Sequence, residues 1–374
     1  MKRYHARRRS SRPGRQPRHV PLRPLSRALW TLSLALAGIG PAAAQSLPTG
    51  LAVVNGQAQV SLVGNRMTVT NSPQAILNWN SFSIGTGQSV YFEQANARSQ
   101  VLNRVTGPDP SMILGSLGSN GKVWLLNPNG VLFGAGARVD VAGLVASNLR
   151  LDDRSWLAGQ ARLEGTGLRS EVVNLGDIRT THGGVVALLG TQVRQEGSIQ
   201  APGGQIVLAG GSKVELADTG APNVSVRLSA SDGAVRNSGA LWASGGRVDL
   251  YAAVVNQEGL VQAGSLATGA SGEVLIRASE QLVLGAGSET RADGASGGQV
   301  WLETTAGRTS VHGTVSAEGS QGAGGGLRVL GREVGLFDGA RRGNLLDQQF
   351  PRGARQQRYP QYPLHPRHGR GVCQ

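Results

Sequence analysis

Acidic residues at a regular spacing are the first candidates for chemistry in this 374-residue chain. Asp177, Glu196 and Glu215 follow one another at equal intervals along the sequence. Two carboxylates held close together could cleave a glycosidic bond as acid and base. Relative to the apolar residues that recur around them, however, the three shift by one position in each repeat, so we expect them to lie on different faces. Asp152 and Asp153 are neighbours, and on a strand they would point in opposite directions.

The other chemically active residue types form no catalytic pattern. His182 and His312, the two histidines between residues 45 and 340, are far apart in the sequence. The sequence contains no His-Glu-x-x-His or Gly-Lys-Ser/Thr motif, which mark zinc proteases and phosphate-binding loops. We predict that the protein is not an enzyme and holds no cofactor and no metal. A polysaccharide-active enzyme is the alternative function.

A polar turn is the most distinctive feature of the sequence. The box Asn127-Pro128-Asn129-Gly130 stands between the apolar runs 123–126 and 131–133. Proline presets the first corner of a turn, and glycine takes a positive φ without steric cost. The sequence therefore predicts a turn between two strands at this point.

Further sequence boxes surround this turn in a fixed order. They are Asn78-Trp79-Asn80, Val90-Tyr91-Phe92, Asn103-Arg104-Val105, Ser111-x-Ile113, the box at 127–130, Gly134-x-Gly136 and Gly143-Leu144. Together they resemble the amino-terminal secretion domain of filamentous haemagglutinin and related two-partner-secretion exoproteins. The resemblance is specific over residues 47–150 and continues at the level of repeats to about 340. The sequence lacks an Asn-Pro-Asn-Leu box that some family members carry, which leaves the transporter subgroup open.

The resemblance implies a function in secretion. The implied partners are the general secretory machinery and an outer-membrane β-barrel transporter, whose periplasmic domains capture the chain while it is extended. The residues implied in transporter recognition or the secretion motif are Asn78, Trp79, Asn80, Asn103, Arg104, Asn127, Pro128, Asn129 and Gly130. For the box at 127–130, a purely structural turn and a direct transporter contact are both open.

The resemblance also implies where the protein acts. We expect it to pass through the periplasm and to be secreted or held at the cell surface. There it would serve as an adhesin or haemagglutinin-like protein, or a truncated form of one, with a host-cell glycan or receptor as a further partner. An inert structural rod is a second alternative.

The formal charge of +14 belongs to the two ends of the chain. Residues 1–44 hold 10 Lys/Arg and no acidic residue, and residues 341–374 hold 7 Lys/Arg and one acidic residue. The stretch between them holds 20 basic and 22 acidic residues. Because a nucleic-acid-binding domain needs a basic face on its folded part, we expect no nucleic-acid partner. With one cysteine, Cys373, the chain forms no internal disulfide, which suits passage through a pore while unfolded.

A glycine-rich phrase recurs from about residue 170 onward. Its form is Gly-Gly-x-Val-x-Leu, and its first apolar positions are 186, 206, 226, 248, 274, 300 and 327. Intervals of about 20–27 residues with apolar residues at alternate positions are typical of stacked strands. We therefore predict an all-β fold, a right-handed parallel β-helix with an N-terminal β cap and glycines at its corners.

A second strand in each coil is indicated by a polar residue, a glycine and an aliphatic residue at alternate positions. This pattern begins at Asn174 and Asn237, and at Asn256 with one extra residue. The separation of Asn174 from Asn237 predicts that three coils lie between them. Their amides are expected to join an internal ladder.

The two ends of the chain differ from the repeats. Residues 1–44 combine a long basic n-region with an apolar run and small residues, which predicts a signal peptide cleaved between Ala44 and Gln45. We assign residues 45–150 to the N-terminal cap and secretion domain, and residues 151–340 to continuing β-helix repeats. The basic stretch 341–374 loses the period and is predicted to be a disordered tail.

Overall fold

The computed structural model describes residues 47–218, 224–230, 232–265 and 272–337. The predicted signal peptide, its cleavage site at Ala44 and Gln45, and the predicted tail lie outside these residues. Within them, no helix is long and apolar enough to cross a membrane.

The first coils begin with antiparallel pairs and then become parallel. Their strands are β1 (Ala52–Asn55), β2 (Ala58–Val63), β3 (Arg66–Asn71), β4 (Ala75–Trp79), β5 (Ser89–Glu93), β6 (Gln100–Val105), β7 (Ser111–Ile113), β8 (Ser116–Ser119), β9 (Lys122–Leu126), β10 (Val131–Phe133), β11 (Arg138–Val141) and β12 (Gly143–Ser147). Strand β1 pairs antiparallel with β4, and β2 pairs antiparallel with β3. These two pairs form the predicted N-terminal β cap.

The middle of the chain contains both coils and an excursion from them. Its elements are α1 (Asp153–Leu157), β13 (Ala161–Glu164), β14 (Val172–Asn174), β15 (Asp177–Thr180), β16 (Val185–Gly190), β17 (Gln192–Gln195), β18 (Ser198–Gln200), β19 (Gln205–Gly210), β20 (Lys213–Asp218) and β21 (Val224–Ala230). Strands β13, β20 and β21 form a separate antiparallel sheet. We call α1 and these three strands the excursion.

The parallel stacking then continues to the end of the described residues. The strands are β22 (Ala234–Asn237), β23 (Ala240–Trp242), β24 (Arg247–Gln257), β25 (Leu260–Gln262), β26 (Glu273–Leu284), β27 (Glu289–Arg291), β28 (Gln299–Thr304), β29 (Arg308–Val311), β30 (Thr314–Ser316), β31 (Gly326–Leu330) and β32 (Glu333–Leu336). One face of the solenoid is a single sheet in the order β2-β3-β5-β8-β11-β15-β18-β23-β25-β27-β30. The predicted all-β parallel β-helix is confirmed.

Aliphatic side chains stack inside the coils and form the core. Six of the seven predicted apolar positions occupy one column, in the order Val186, Ile206, Val248, Val274, Val300 and Leu327. All six are buried. Each added coil therefore removes a further layer of apolar surface from water, at roughly 25 cal/mol per Å².

The coil predicted at Val226 is wrong. Ile206 pairs directly with Val248, and Val226 lies instead in β21, antiparallel to β20. A hairpin with one exposed face alternates apolar and polar residues as a coil strand does, so the two cannot be told apart by period alone. For the same reason Asn174 and Asn237 are separated by two coils, through Gln195, rather than by the three we predicted.

Buried amides lie inside the solenoid at the positions that the sequence predicted for a ladder, and they bond in two separate pairs. Asn174 Nδ2 donates to Gln195 Oε1 over 2.7 Å, and Asn237 Nδ2 donates to Gln257 Oε1 over 2.6 Å. All four side chains are fully buried. The prediction that Asn256 opens this strand is wrong by one residue, because Gln257 is the residue that pairs with Asn237.

Replacing Asn237 by alanine is expected to lower the free energy of unfolding by about 1–3 kcal/mol, because the buried Gln257 Oε1 loses its hydrogen-bond donor. The matched control is Asn256→Ala. Asn256 is only half-buried and precedes Gln257 on the same strand, and we expect a change within about 0.5 kcal/mol. Urea unfolding followed by circular dichroism measures both. Equal effects of the two substitutions would contradict a stabilising ladder.

The paired glycines have separate functions at the corners. In three of the pairs the first takes a left-handed conformation, with φ of 77° at Gly183, 63° at Gly203 and 72° at Gly245. The second stacks against the glycine of the preceding coil. A Cβ added to Gly204 would lie 1.9 Å from the carbonyl oxygen of Gly184, and one added to Gly246 would lie 2.0 Å from that of Gly204. The repeated Gly-Gly phrase is thus required by backbone conformation at one position and by close approach at the other.

The excursion covers a second apolar cluster on the outside of the solenoid. Outward-facing residues of the parallel sheet, among them Trp124, Val145 and Val207, pack against Trp156 and Leu216 of the excursion. The rings of Trp124 and Trp156 meet edge to face, with centroids 5.2 Å apart. The sequence-based prediction missed this cluster, because the segment that covers it belongs to the excursion, which does not repeat with the coils.

Candidate functional site

Asn127 ties its own coil to the coils on both sides. Its side chain is fully buried, and its Nδ2 donates to the carbonyl oxygen of Asp109 over 2.9 Å and to Ser111 Oγ over 3.0 Å, both in the preceding coil. Its backbone N–H donates to the carbonyl oxygen of Ser147, in the following coil, over 2.9 Å. Few residue types offer a donor and an acceptor of this size, so asparagine is well suited to the position.

The rest of the box forms the predicted turn between β9 and β10. The backbone N–H of Asn129 donates to Asn127 Oδ1 over 2.9 Å, and that of Gly130 donates to the Asn127 carbonyl oxygen over 2.9 Å. Gly130 has a φ of 112°, as the sequence predicted. The Pro128 carbonyl oxygen accepts from Ser170 Oγ over 2.7 Å. The box therefore connects neighbouring coils through internal hydrogen bonds.

Trp79 and Asn103 form a second buried connection between coils. Trp79 Nε1 donates to Asn103 Oδ1 over 2.9 Å, and Asn103 Nδ2 donates to the Trp124 carbonyl oxygen over 3.2 Å. Both side chains are buried. The side chains on either side of Trp79 are less buried, since Asn78 is half-buried and Asn80 is exposed. The backbone oxygen of Asn80 accepts from the N–H of Gly107 over 3.1 Å.

Arg104 holds the excursion against the coils. Its guanidinium donates to the carbonyl oxygen of Leu151 over 3.0 Å and forms an ion pair with Asp153. Asp152 is the N-cap of α1 and Asp153 is its first residue, so the two do not lie on a strand. Asp152 caps the helix by accepting from the N–H of Ser155, and this hydrogen bonding lowers the pKa of the Asp152 carboxyl.

Three of the predicted residues line one groove beside the turn. A concave region of about 450 Å³ is bounded by Arg104, Pro128 and Asn129, together with Gly107 and Leu168. Leu168 is 49% exposed, and Asn129 Nδ2 reaches across to the carbonyl oxygen of Gly107 over 3.0 Å. Trp79, Asn103 and Asn127 lie inside the coils instead. Sequence reasoning missed Leu168, because it belongs neither to a repeat nor to one of the sequence boxes.

The regularly spaced carboxylates do not come together. Asp177 lies on β15 and accepts from Ser198. Glu196 pairs with Arg194 over 3.3 Å. Glu215 lies on β20 in the excursion and pairs with an arginine of β13 over 3.1 Å. Their different elements agree with the drift that the sequence predicted, and these three residues form no acid–base pair.

Known proteins with similar sequences and structures agree with this architecture. The TPS secretion domain family model matches residues 44–320. A heme/hemopexin-binding protein of Haemophilus influenzae is 34% identical over 248 residues, which are 62% of this chain and 24% of that protein. A second protein of that description is 45% identical over 89 residues, 24% of this chain and 10% of its own length. This chain thus matches a quarter or less of these relatives.

A solved structure shows the same fold. The crystal structure of the HMW1 secretion domain from Haemophilus influenzae superimposes with a TM-score of 0.68 and 27% sequence identity. The match covers 79% of this chain and 98% of that domain. Because the family model spans well over half of the sequence, this chain belongs to the TPS secretion domain family of two-partner-secretion exoproteins.

Proposed function

We propose that this chain directs an exoprotein to a dedicated outer-membrane β-barrel transporter with periplasmic capture domains. The observation that carries the proposal is the family match over residues 44–320, supported by the 98% coverage of a solved secretion domain. The general secretory machinery delivers the chain to the periplasm. The transporter then passes it to the cell surface or the medium.

The burial of the predicted secretion residues supports capture before folding. Trp79, Asn103 and Asn127 are each no more than 1% exposed in the folded chain. A capture domain can therefore reach these side chains only while the chain is extended. An extended segment with alternating apolar residues suits recognition by strand addition.

Folding outside the cell favours outward movement. In the parallel region each strand pairs with the strand of the preceding coil, as β19 does with β16. A coil that emerges can thus add directly to those already folded and bury its aliphatic residues. This stepwise addition makes return through the pore unfavourable.

Export with and without the transporter tests this function. The full-length chain is expressed in a Gram-negative host, alone or with a two-partner-secretion transporter, and the medium and periplasm are probed. We expect the protein in the medium or on the surface only when the transporter is present. Equal release without the transporter would overturn the proposal. An unrelated β-barrel outer-membrane protein serves as the matched control.

The exported chain binds a partner outside the cell, and we propose two classes of partner. The resemblance to filamentous haemagglutinin favours a host-cell glycan or receptor, as for an adhesin or haemagglutinin-like protein. The names of the Haemophilus relatives favour heme or hemopexin instead. Cell adhesion and hemopexin-binding assays on the secreted protein distinguish the classes. Cell binding without hemopexin binding supports the first, and the reverse supports the second.

A further inference from the structure

A cavity of about 170 Å³ lies between the parallel sheet and the excursion. Its apolar wall includes Trp124 and Val145 of the sheet, with Trp156, Ala161 and Leu216 of the excursion. None of the predicted secretion residues lines this cavity. An engineered apolar cavity of about 150 Å³ in another protein holds benzene, so this cavity has the volume for one aromatic ring.

The walls present surfaces that an aromatic ring can contact in favourable geometry. Trp124 and Trp156 contact each other edge to face, with planes inclined at 73°, and both residues line the cavity. Aromatic rings attract each other in both edge-to-face and offset-stacked arrangements. Trp156 is itself fixed, since its Nε1 donates to the carbonyl oxygen of Gln74 over 3.1 Å. The site is thus built before any ligand arrives.

Small residues keep the cavity open. Gly143 pairs with Lys122 of the preceding coil, and it lines the cavity without a side chain. A Cβ added there would lie 3.1 Å from Lys122 Cγ. Ala161 contributes only a methyl group from the opposite wall. A larger residue at either position would reduce the space.

Lys122 brings a positive charge to this apolar cavity. It is half-buried on β9 and lines the cavity beside Gln100. The other lysine in the described stretches, Lys213, forms an ion pair with Glu164 at 3.8 Å. Among the described residues no carboxylate forms such a pair with Lys122. An ammonium at the edge of an apolar space is suited to a carboxylate, whose hydrogen bonds to it are charge-assisted.

We propose that this cavity binds a single-ring aromatic carboxylate, with the ring against the wall that Trp124 and Trp156 form together and the carboxylate at Lys122. Gln100 can donate a second hydrogen bond through its amide. Binding here is independent of secretion, because the ligand needs the folded excursion and the secretion residues lie elsewhere.

Calorimetric titration of the secreted mature protein tests the site, with benzoate as the probe and benzyl alcohol as its uncharged counterpart. We expect saturable binding of benzoate, about tenfold tighter than that of benzyl alcohol, which corresponds to about 1.4 kcal/mol. Lys122→Met should remove this preference and leave binding of benzyl alcohol unchanged. Lys213→Met is the matched control and should bind both compounds as the wild type does.

A second variant tests the cavity itself. Ala161→Leu is expected to fill it and to abolish binding of both compounds. Saturation-transfer NMR on the wild type reports contact with the ring protons even if that variant fails to fold. No saturable benzoate binding by the wild type would overturn the proposal. Unchanged preference for benzoate in Lys122→Met would overturn the assigned role of the lysine.

Discussion

Replacing Asn127 by alanine is expected to lower the free energy of unfolding by about 3 kcal/mol and to stop the protein from reaching the medium. The substitution leaves the carbonyl oxygen of Asp109, Ser111 Oγ and the N–H of Asn129 without the partners that they have now. Each buried polar group left unpaired costs about 1–3 kcal/mol. Two of the lost bonds lead to the preceding coil, so the effect should extend beyond the turn.

Urea unfolding measures the stability, and immunoblots of medium and periplasm measure the export. The matched control is Asn65→Ala, since Asn65 is exposed at the tip between β2 and β3. We expect it to change stability by no more than about 0.5 kcal/mol and to be exported normally. Loss of export with unchanged stability in Asn127→Ala would show that the transporter reads this side chain directly. It would contradict a role in folding.

Replacing Gly204 by alanine is expected to destabilise the protein by about 3 kcal/mol or more. The new methyl group would lie 1.9 Å from the carbonyl oxygen of Gly184, well inside contact distance. Backbone atoms cannot rotate away as the end of a side chain can, so two coils must separate locally. Forced overpacking of a dense interior typically costs about 1–3 kcal/mol, and a backbone clash lies at the upper end.

Gly287→Ala is the matched control for this substitution. No atom lies within 4 Å of a Cβ added to Gly287, so its methyl group meets open space. We expect thermal and urea unfolding to show a change within about 0.5 kcal/mol, as for most surface substitutions. Similar losses at Gly204 and Gly287 would mean that the glycines serve flexibility rather than close packing between coils.

The repeated part of the fold could be predicted because its physical causes recur at every coil. The column from Val186 to Leu327 and the Gly-Gly corners both appear in the sequence at a regular interval. The amides of Asn174 and Asn237 could be placed in a ladder for the same reason. The register at Asn256 was missed because the first position of the polar-glycine-aliphatic pattern was assigned to asparagine alone. Gln257 offers the same amide group and fits that pattern without an extra residue.

The excursion could not be predicted because it follows no period. Val226 has the alternation of a coil strand but pairs with Leu216 in an antiparallel hairpin. Alternation along β9 places Trp124 on the outward face, between the inward Val123 and Leu125. Nothing in the sequence indicates that helix α1 and β13 cover it there. The turn at 127–130 was foreseen from local chemistry. Its connections to Asp109, Ser147 and Ser170 depend on which residues stack above and below.

Binding of the transporter's periplasmic domains to unfolded and to folded protein measures most directly whether recognition precedes folding. The mature chain is immobilised after dilution from urea or after complete refolding, and surface plasmon resonance records the binding of the periplasmic domains. Trp79, Asn103 and Asn127 are buried only in the folded chain. We therefore predict binding to the unfolded form and loss of binding as these coils fold. Equal affinity for the fully folded protein would contradict capture of an extended chain.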